Sequence, residues 1–208
     1  MKRVGITQRV EYITKYNETR DCLDQRWSEL LLELEYLPIP LPNINPESVS
    51  ALLKILKLDL IIFSGGNSLT VLDETAANIS PQRDLFEKTL FSEAMGLNIP
   101  ILGVCRGMQM LNIQMGGTLS KVTGHIAVNH TINSLDTSFD FPCDVNSYHS
   151  WGIRKSDLSK DLKPLALDSD GNIEAFINEE KKILGIMWHP EREYPFNSKD
   201  TQMIKRFL

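Results

Sequence analysis

The sequence predicts an α/β fold: a mostly parallel central sheet flanked by helices, with extra antiparallel strands in the C-terminal half. Three observations carry this. Strand-like and helix-like segments alternate through the first half of the chain. Their connections are short, as strand–helix–strand units require. From residue 118 to residue 186 the segments shorten and are separated by turn chemistry, notably Asp168-Ser169-Asp170-Gly171-Asn172. No repeat, low-complexity stretch or linker interrupts the pattern, so residues 1–208 are expected to form a single domain.

The elements follow in order. Residues 3–7 form a short β-rich run. Residues 19–36 predict an amphipathic helix, with Leu23, Trp27, Leu30, Leu31 and Leu34 at helical spacing; this places Cys22 on that helix. Residues 37–41 are extended and broken up by prolines. Pro46 opens a helix to residue 56, a position that suits its fixed φ. Residues 59–63 are a buried strand leading into Ser64-Gly65-Gly66-Asn67. A helix over 82–95 ends at Gly96, a strand covers 100–104, and a helix over 105–115 stops at Gly116-Gly117. Residues 173–177 and 183–187 flank a turn and predict a hairpin, and 199–208 a final helix.

Composition narrows the function classes. Lys and Arg total 22 against 27 Asp and Glu, a net charge of −5. An acidic chain with no basic run is a poor nucleic-acid binder, although a few local cations could hold a small anion. The apolar share of 42% is that of a globular chain rather than a disordered one. Three widely spaced cysteines with no CxxC argue against a disulfide framework or a structural zinc site. No apolar run is long enough for a signal peptide or a membrane span. The expected compartment is the cytoplasm, where thiols stay reduced.

The sharpest local signal is Gly103-Val104-Cys105-Arg106-Gly107 at a strand-to-helix step. It is the cysteine form of a nucleophile elbow. The glycines relieve crowding around a strained turn, and the turn presents the sulfur at a helix N-terminus that favours thiolate. A buried cysteine between packing glycines would look the same. The second signal is Trp188-His189-Pro190-Glu191 after a late strand, which alone reads as a surface turn and gains a catalytic reading from the elbow upstream. A thiol nucleophile needs a base, and the base needs an orienting group; His189 and Glu191, two apart on extended backbone, face the same side. Gly65-Gly66 at another strand end is a third signal. Paired with the N–H of Arg106, a glycine N–H there, best Gly66, could complete an oxyanion hole; a plain turn or a phosphate nest is the alternative.

With these motifs in place, the chain resembles the class I glutamine amidotransferases and their free-standing γ-glutamyl hydrolase relatives. The resemblance runs from Gly5-Ile6-Thr7 to His189-Pro190-Glu191. It implies that Cys105 is the nucleophile, His189 the general base and acid, and Glu191 its orienter. Gly66 and Arg106 would supply the oxyanion N–H groups. Gln109, Tyr148, His149, Ser150 and Trp151 would hold the glutamyl group. The implied chemistry is cleavage of a γ-glutamyl amide through a γ-glutamyl thioester, with no cofactor and no metal.

Gly5-Ile6-Thr7-Gln8-Arg9 and Val145-Asn146-Ser147-Tyr148-His149 look more like the free-standing hydrolases. The length, with no room for a synthase domain, favours the same expectation. The sequence as a whole looks like those acting on a nucleotide-linked amide, whose nitrogen is bonded to the diphosphate of CDP. A glutaminase subunit feeding a synthase, a hydrolase of γ-glutamyl-GABA and a non-catalytic module are the competing expectations. The expected partner is thus a small γ-glutamyl molecule, with neither nucleic acid nor membrane, and a homodimer left open. A diphosphate needs cations. The candidates are Arg9, Arg106, Lys121, His125, Arg154 and Arg192, with Arg106 and Arg192 favoured because they flank catalytic positions. His125 and His130, five apart on a strand-like stretch, are expected on opposite faces and therefore as wall or core residues rather than a metal pair. Cys22 and Cys143 are expected to be non-catalytic.

Overall fold

The structure, a computed structural model, describes residues 1–72 and 74–207; Leu208, the end of the expected last helix, lies outside the described residues. Strand β1 (Lys2–Thr7) leads into a hairpin of β2 (Arg9–Ile13) and β3 (Glu18–Cys22). Then come α1 (Gln25–Glu33), β4 (Tyr36–Leu41), a 3-10 turn (Pro46–Ser48) continuing into α2 (Val49–Leu56), and β5 (Leu60–Phe63). Helix α3 (Pro81–Gly96), β6 (Ile101–Val104) and α4 (Arg106–Gln114) complete the alternating half. The second half holds β7 (Ser120–Lys121), β8 (Ile126–Thr131), β9 (Asn133–Ser134), β10 (Asp144–Tyr148), β11 (Trp151–Gly152), β12 (Lys163–Leu167), β13 (Ile173–Asn178) and β14 (Ile183–Ile186). Helix α5 (Ser198–Phe207) closes the described chain.

The main sheet runs β4-β1-β5-β6-β14-β13-β12-β9. From β4 to β14 every pairing is parallel, and from β14 to β9 every pairing is antiparallel. Short apolar runs such as Leu60-Ile61-Ile62-Phe63 fit the parallel part because both faces are covered. Leu60, Ile62, Leu102, Val104, Leu184 and Ile186 face Trp27, Leu30 and Leu31 of α1 and Met203 and Ile204 of α5. Ile61, Phe63, Ile101 and Ile183 face α2, α3 and α4 through Leu53, Phe86, Leu90, Met108 and Leu111. No helix among the described residues is long and apolar enough to cross a membrane.

Two expectations are corrected. The helix expected over 19–36 is a strand and a shorter helix. Residues 18–22 pair with β2 around a turn containing Asn17 at φ 52°. Asp24 then caps α1, accepting a hydrogen bond from Arg26 N–H at 3.0 Å. Cys22 therefore ends a strand rather than sitting on a helix. The second correction concerns His125 and His130. Strand β8 pairs with β10, but the register slips: Ser147 faces Val128 and Tyr148 faces Ile126. Ala127, at φ 55°, is the extra residue of a β-bulge. A separation of five then acts as four, so both rings fall on one side, their centroids 4.9 Å apart.

One glycine fixes the seat of α4 on the sheet. A Cβ at Gly107 would lie 1.9 Å from the carbonyl oxygen of Phe63. Backbone cannot yield to that contact. Gly107→Ala is expected to destabilise the protein by at least ~1–3 kcal/mol in urea titration. Gly96→Ala, with nothing within 4 Å of the added Cβ, should be neutral or slightly stabilising.

Candidate active site

Three neighbouring parallel strands, β5, β6 and β14, deliver the predicted residues at their carboxyl ends, where open α/β sheets place ligand sites. Strand β6 ends at Val104, and Cys105 follows at φ 52°, ψ −107°. An L-residue holds such a conformation only when its surroundings fix it. Here the Cys105 N–H donates to Ile186 O at 2.8 Å, and Cys105 O accepts from Gln109 N–H at 3.1 Å. Arg106 starts α4, so the sulfur stands at the helix N-terminus.

His189 follows β14 and is buried, as is Glu191. Glu191 Oε1 lies 2.7 Å from His189 Nδ1 and fixes the proton on that nitrogen, because the carboxylate can only accept. The His189 backbone is pinned on both sides by Asn146, whose Oδ1 accepts from His189 N–H at 3.0 Å while its Nδ2 donates to His189 O at 2.9 Å. Burial opposes charge on the imidazole, but Glu191 and Cys105 outweigh it and raise the pKa to about 9. Gly65 leaves room for the ring: a Cβ there would lie 2.5 Å from His189 Cε1. Tyr148 meets the ring edge-on at 5.9 Å.

The loop after β5 is held from behind. Arg83 of α3 is fully buried. One of its terminal nitrogens donates to Gly65 O and Gly66 O, both at 3.0 Å, and the other to Ser64 O at 2.8 Å. With its carbonyls tied down and Gly66 at φ 84°, the loop lies beside Cys105. Arg83 Nε also meets Glu87 at 2.9 Å. Glu87 in turn pairs with Arg106, which also pairs with Asp84. Burial works against the Glu87 charge, yet Arg106 and Arg83 hold its carboxyl below the usual range.

Two clefts share Gly66. One is lined by Cys105, Gln109, Tyr148, His149, Ser150 and Trp151. Gln109 Nε2 donates to Trp151 O at 2.8 Å and fixes that wall. The other cleft is lined by Arg9, Trp27, Gly66, His189, Glu191 and Arg192. Arg192 stacks over Tyr148 at 4.3 Å from the ring centroid.

The predicted site residues are thus brought together, with exceptions among the cations. Arg106 is 2% exposed and committed to Asp84 and Glu87, so its side chain is not a diphosphate ligand. His125 is buried, and desolvation followed by His130 pushes its pKa down. Lys121, over the Trp151 ring, and Arg154 line neither cleft. Sequence reasoning missed the structural parts played by Arg83 and Asn146. Arg83 and Glu87 are four apart on α3, but such pairs are ordinary on exposed helix faces.

The chain matches the family described as Peptidase C26 over residues 3–139 and 127–191. It is 35% identical over 209 residues to a Campylobacter jejuni protein named gamma-glutamyl-CDP-amidate hydrolase, covering 99% of this chain and 96% of that one. Protein NtpR of Enterococcus hirae is 30% identical over 200 residues, covering 83% of this chain and 82% of its own length. A glutamine amidotransferase of known structure from Thermotoga maritima has the same fold, with a TM-score of 0.67 at 18% identity, covering 99% of this chain and 83% of that one.

The Arg83 clamp is testable. Arg83→Met strips three loop carbonyls of a donor and leaves Glu87 with one partner fewer. It is expected to destabilise the protein by about 3–5 kcal/mol in urea titration. Adding Glu87→Gln should recover part of the loss.

Proposed function

The chain belongs to the peptidase C26 family, hydrolases of amide bonds, and on that premise we propose that it is a cysteine-dependent γ-glutamyl amidohydrolase. The observation that carries this reading is His189, locked to Glu191 at 2.7 Å in a cleft that shares Gly66 with the cleft lined by Cys105. The Cys105 thiolate attacks the γ-carbonyl carbon. The Gly66 and Arg106 N–H groups take the oxyanion. As the C–N bond breaks, imidazolium His189 protonates the departing nitrogen. Water, deprotonated by His189, then hydrolyses the γ-glutamyl thioester to glutamate and frees the thiol.

The cleft holding Cys105 suits the glutamyl part, with Gln109 and residues 148–151 as its wall. The cleft on the His189 side would then receive the leaving group. Its Arg9 and Arg192 favour a polyanion there, which agrees with the name of the Campylobacter relative. The proposed reaction is γ-glutamyl-CDP-amidate plus water to glutamate and cytidine diphosphoramidate. Incubation with that substrate should release glutamate, and Cys105→Ala should abolish the release. Faster cleavage of γ-glutamyl-GABA would reassign the leaving group, and efficient ammonia release from glutamine would favour a glutaminase.

Arg9→Ala and Arg192→Ala are expected to raise KM for the CDP-linked substrate roughly 10–100-fold, the worth of a charge-assisted hydrogen bond. They should change γ-glutamyl-GABA cleavage little. An equal effect on both substrates would remove the diphosphate role.

The His189 pKa gives a pH prediction. Its folded value of about 9 stands above the ordinary 6.5. The stabilisation from its charged form is complete below 6.5 and lost as pH rises through about 9. The acid form needed for leaving-group protonation disappears over the same range, so kcat/KM should fall on an alkaline limb near pH 9. Glu191→Gln removes the carboxylate that holds the proton and should move this limb down by roughly one to three pH units.

A further inference from the structure

The wall residue His149 also belongs to a cluster whose other members, His125, His130 and Glu174, line neither cleft. His125 stands just before β8, His130 on β8, His149 just after β10 and Glu174 on β13. One donor atom from each lies within 4.8 Å of all the others. Nε2 of His130, Nε2 of His149 and both carboxylate oxygens of Glu174 are buried without a hydrogen-bond partner. Leaving such groups unpaired is costly. The separations between them are 3.8 Å for His130 to Glu174 and 3.9 Å for His149 to Glu174. These are too long for hydrogen bonds. They are close to the roughly 3.4 Å between neighbouring ligands when about 2.0–2.1 Å separates each from a tetrahedral zinc ion.

The tautomers of His149 and His130 fit as well, while His125 has neighbours of its own, with Asp168 Oδ2 3.3 Å from its Nε2 and Ser147 Oγ 3.4 Å from its Nδ1. His149 Nδ1 sits 2.9 Å from Trp151 O, and His130 Nδ1 sits 3.2 Å from Thr131 O. A carbonyl only accepts, so each Nδ1 carries the proton and each Nε2 turns a lone pair to the cluster. Metal-ligating histidines are oriented in this way.

We propose that His125, His130, His149 and Glu174 bind a divalent transition-metal ion, with zinc the best match to three imidazoles and one carboxylate. Four protein ligands leave no open position, the arrangement of a structural rather than a catalytic site. Its place in the fold gives it a task. Strands β8 and β10 form a separate two-stranded sheet, and the ion would tie that sheet to β13 of the main sheet. It would thereby brace His149 in the wall of the Cys105 cleft. The site stands independently of which γ-glutamyl amide is the substrate.

The test uses the full chain. Metal-stripped protein is titrated with Zn²⁺ while thermal unfolding is followed, and Co²⁺ is added separately to read the visible spectrum. Expected are stoichiometric Zn²⁺ binding, a rise in the melting midpoint, and intense visible bands of tetrahedral Co²⁺. Glu174→Gln and His130→Ala should weaken Zn²⁺ binding by more than the roughly 10–100-fold that outer partners of a metal site cost. Cys105→Ser should keep the ion. Failure of the unsubstituted protein to bind Zn²⁺ would overturn the proposal whatever the variants do. So would loss of the ion in Cys105→Ser with retention in His130→Ala, since the ion would then sit on the thiol.

Discussion

The site depends on a buried ionic junction, Arg83–Glu87–Arg106. Buried ion pairs seldom stabilise a fold over apolar packing of the same volume, because desolvation consumes most of the attraction. What this one provides is position. Arg83 holds the carbonyls of the loop after β5, and Arg106 is the residue directly after Cys105. Glu87 joins the two guanidinium groups. The donors proposed for the oxyanion, Gly66 N–H and Arg106 N–H, therefore belong to two segments anchored to one carboxylate. Neither can drift without disturbing the other.

The sheet order does the rest. Because β6 lies between β5 and β14 in parallel register, the segments after all three strands emerge on one edge side by side. The nucleophile comes from the middle strand, the loop from one neighbour and the imidazole from the other. The strained φ of Cys105 is sustained by the same arrangement, since its N–H is held by Ile186 of β14. Asn146 fixes His189 from the separate β8–β10 sheet, so the base is set by two sheets at once.

The sequence made legible whatever is written in consecutive residues. The elbow, the His-Pro-Glu step and the parallel strands all show as local patterns, although Pro190–Arg192 is a 3-10 turn rather than the extended backbone expected to set Glu191 beside His189. Its failures share a physical cause. In residues 18–22 exposed polar side chains give no strand alternation, while Leu23 and Trp27 extend the helical spacing backwards, so the hairpin was invisible. The bulge at Ala127 changes which residues share a face by one position, and nothing in its composition announces it. Arg106 was correctly placed beside Cys105, but adjacency fixes where its N–H lies, not where its long side chain goes. Arg83 works through partners both near and far in the chain, and a surface pair would have the same spacing.

The two clefts differ in how firmly they are built, and that difference bears on specificity. Trp151 O receives Gln109 Nε2 from α4 and His149 Nδ1 from within its own segment, so the wall of the Cys105 cleft is fixed to a core helix. The other cleft takes its cations from Arg9, on an exposed hairpin, and Arg192, on a short 3-10 turn. Among the described residues the Arg9 guanidinium pairs with Glu11 on the same strand, and Arg192 rests on Tyr148 and lies 3.8 Å from Glu191. Neither guanidinium takes part in the elbow or in the ionic junction, although Arg192 touches Glu191 and Tyr148 beside the imidazole. In the proposed reaction, recognition of the glutamyl part is bound up with folding, whereas recognition of the leaving group rests on a few surface side chains. The same buried core could then serve different γ-glutamyl amides with changes confined to the hairpin and the turn.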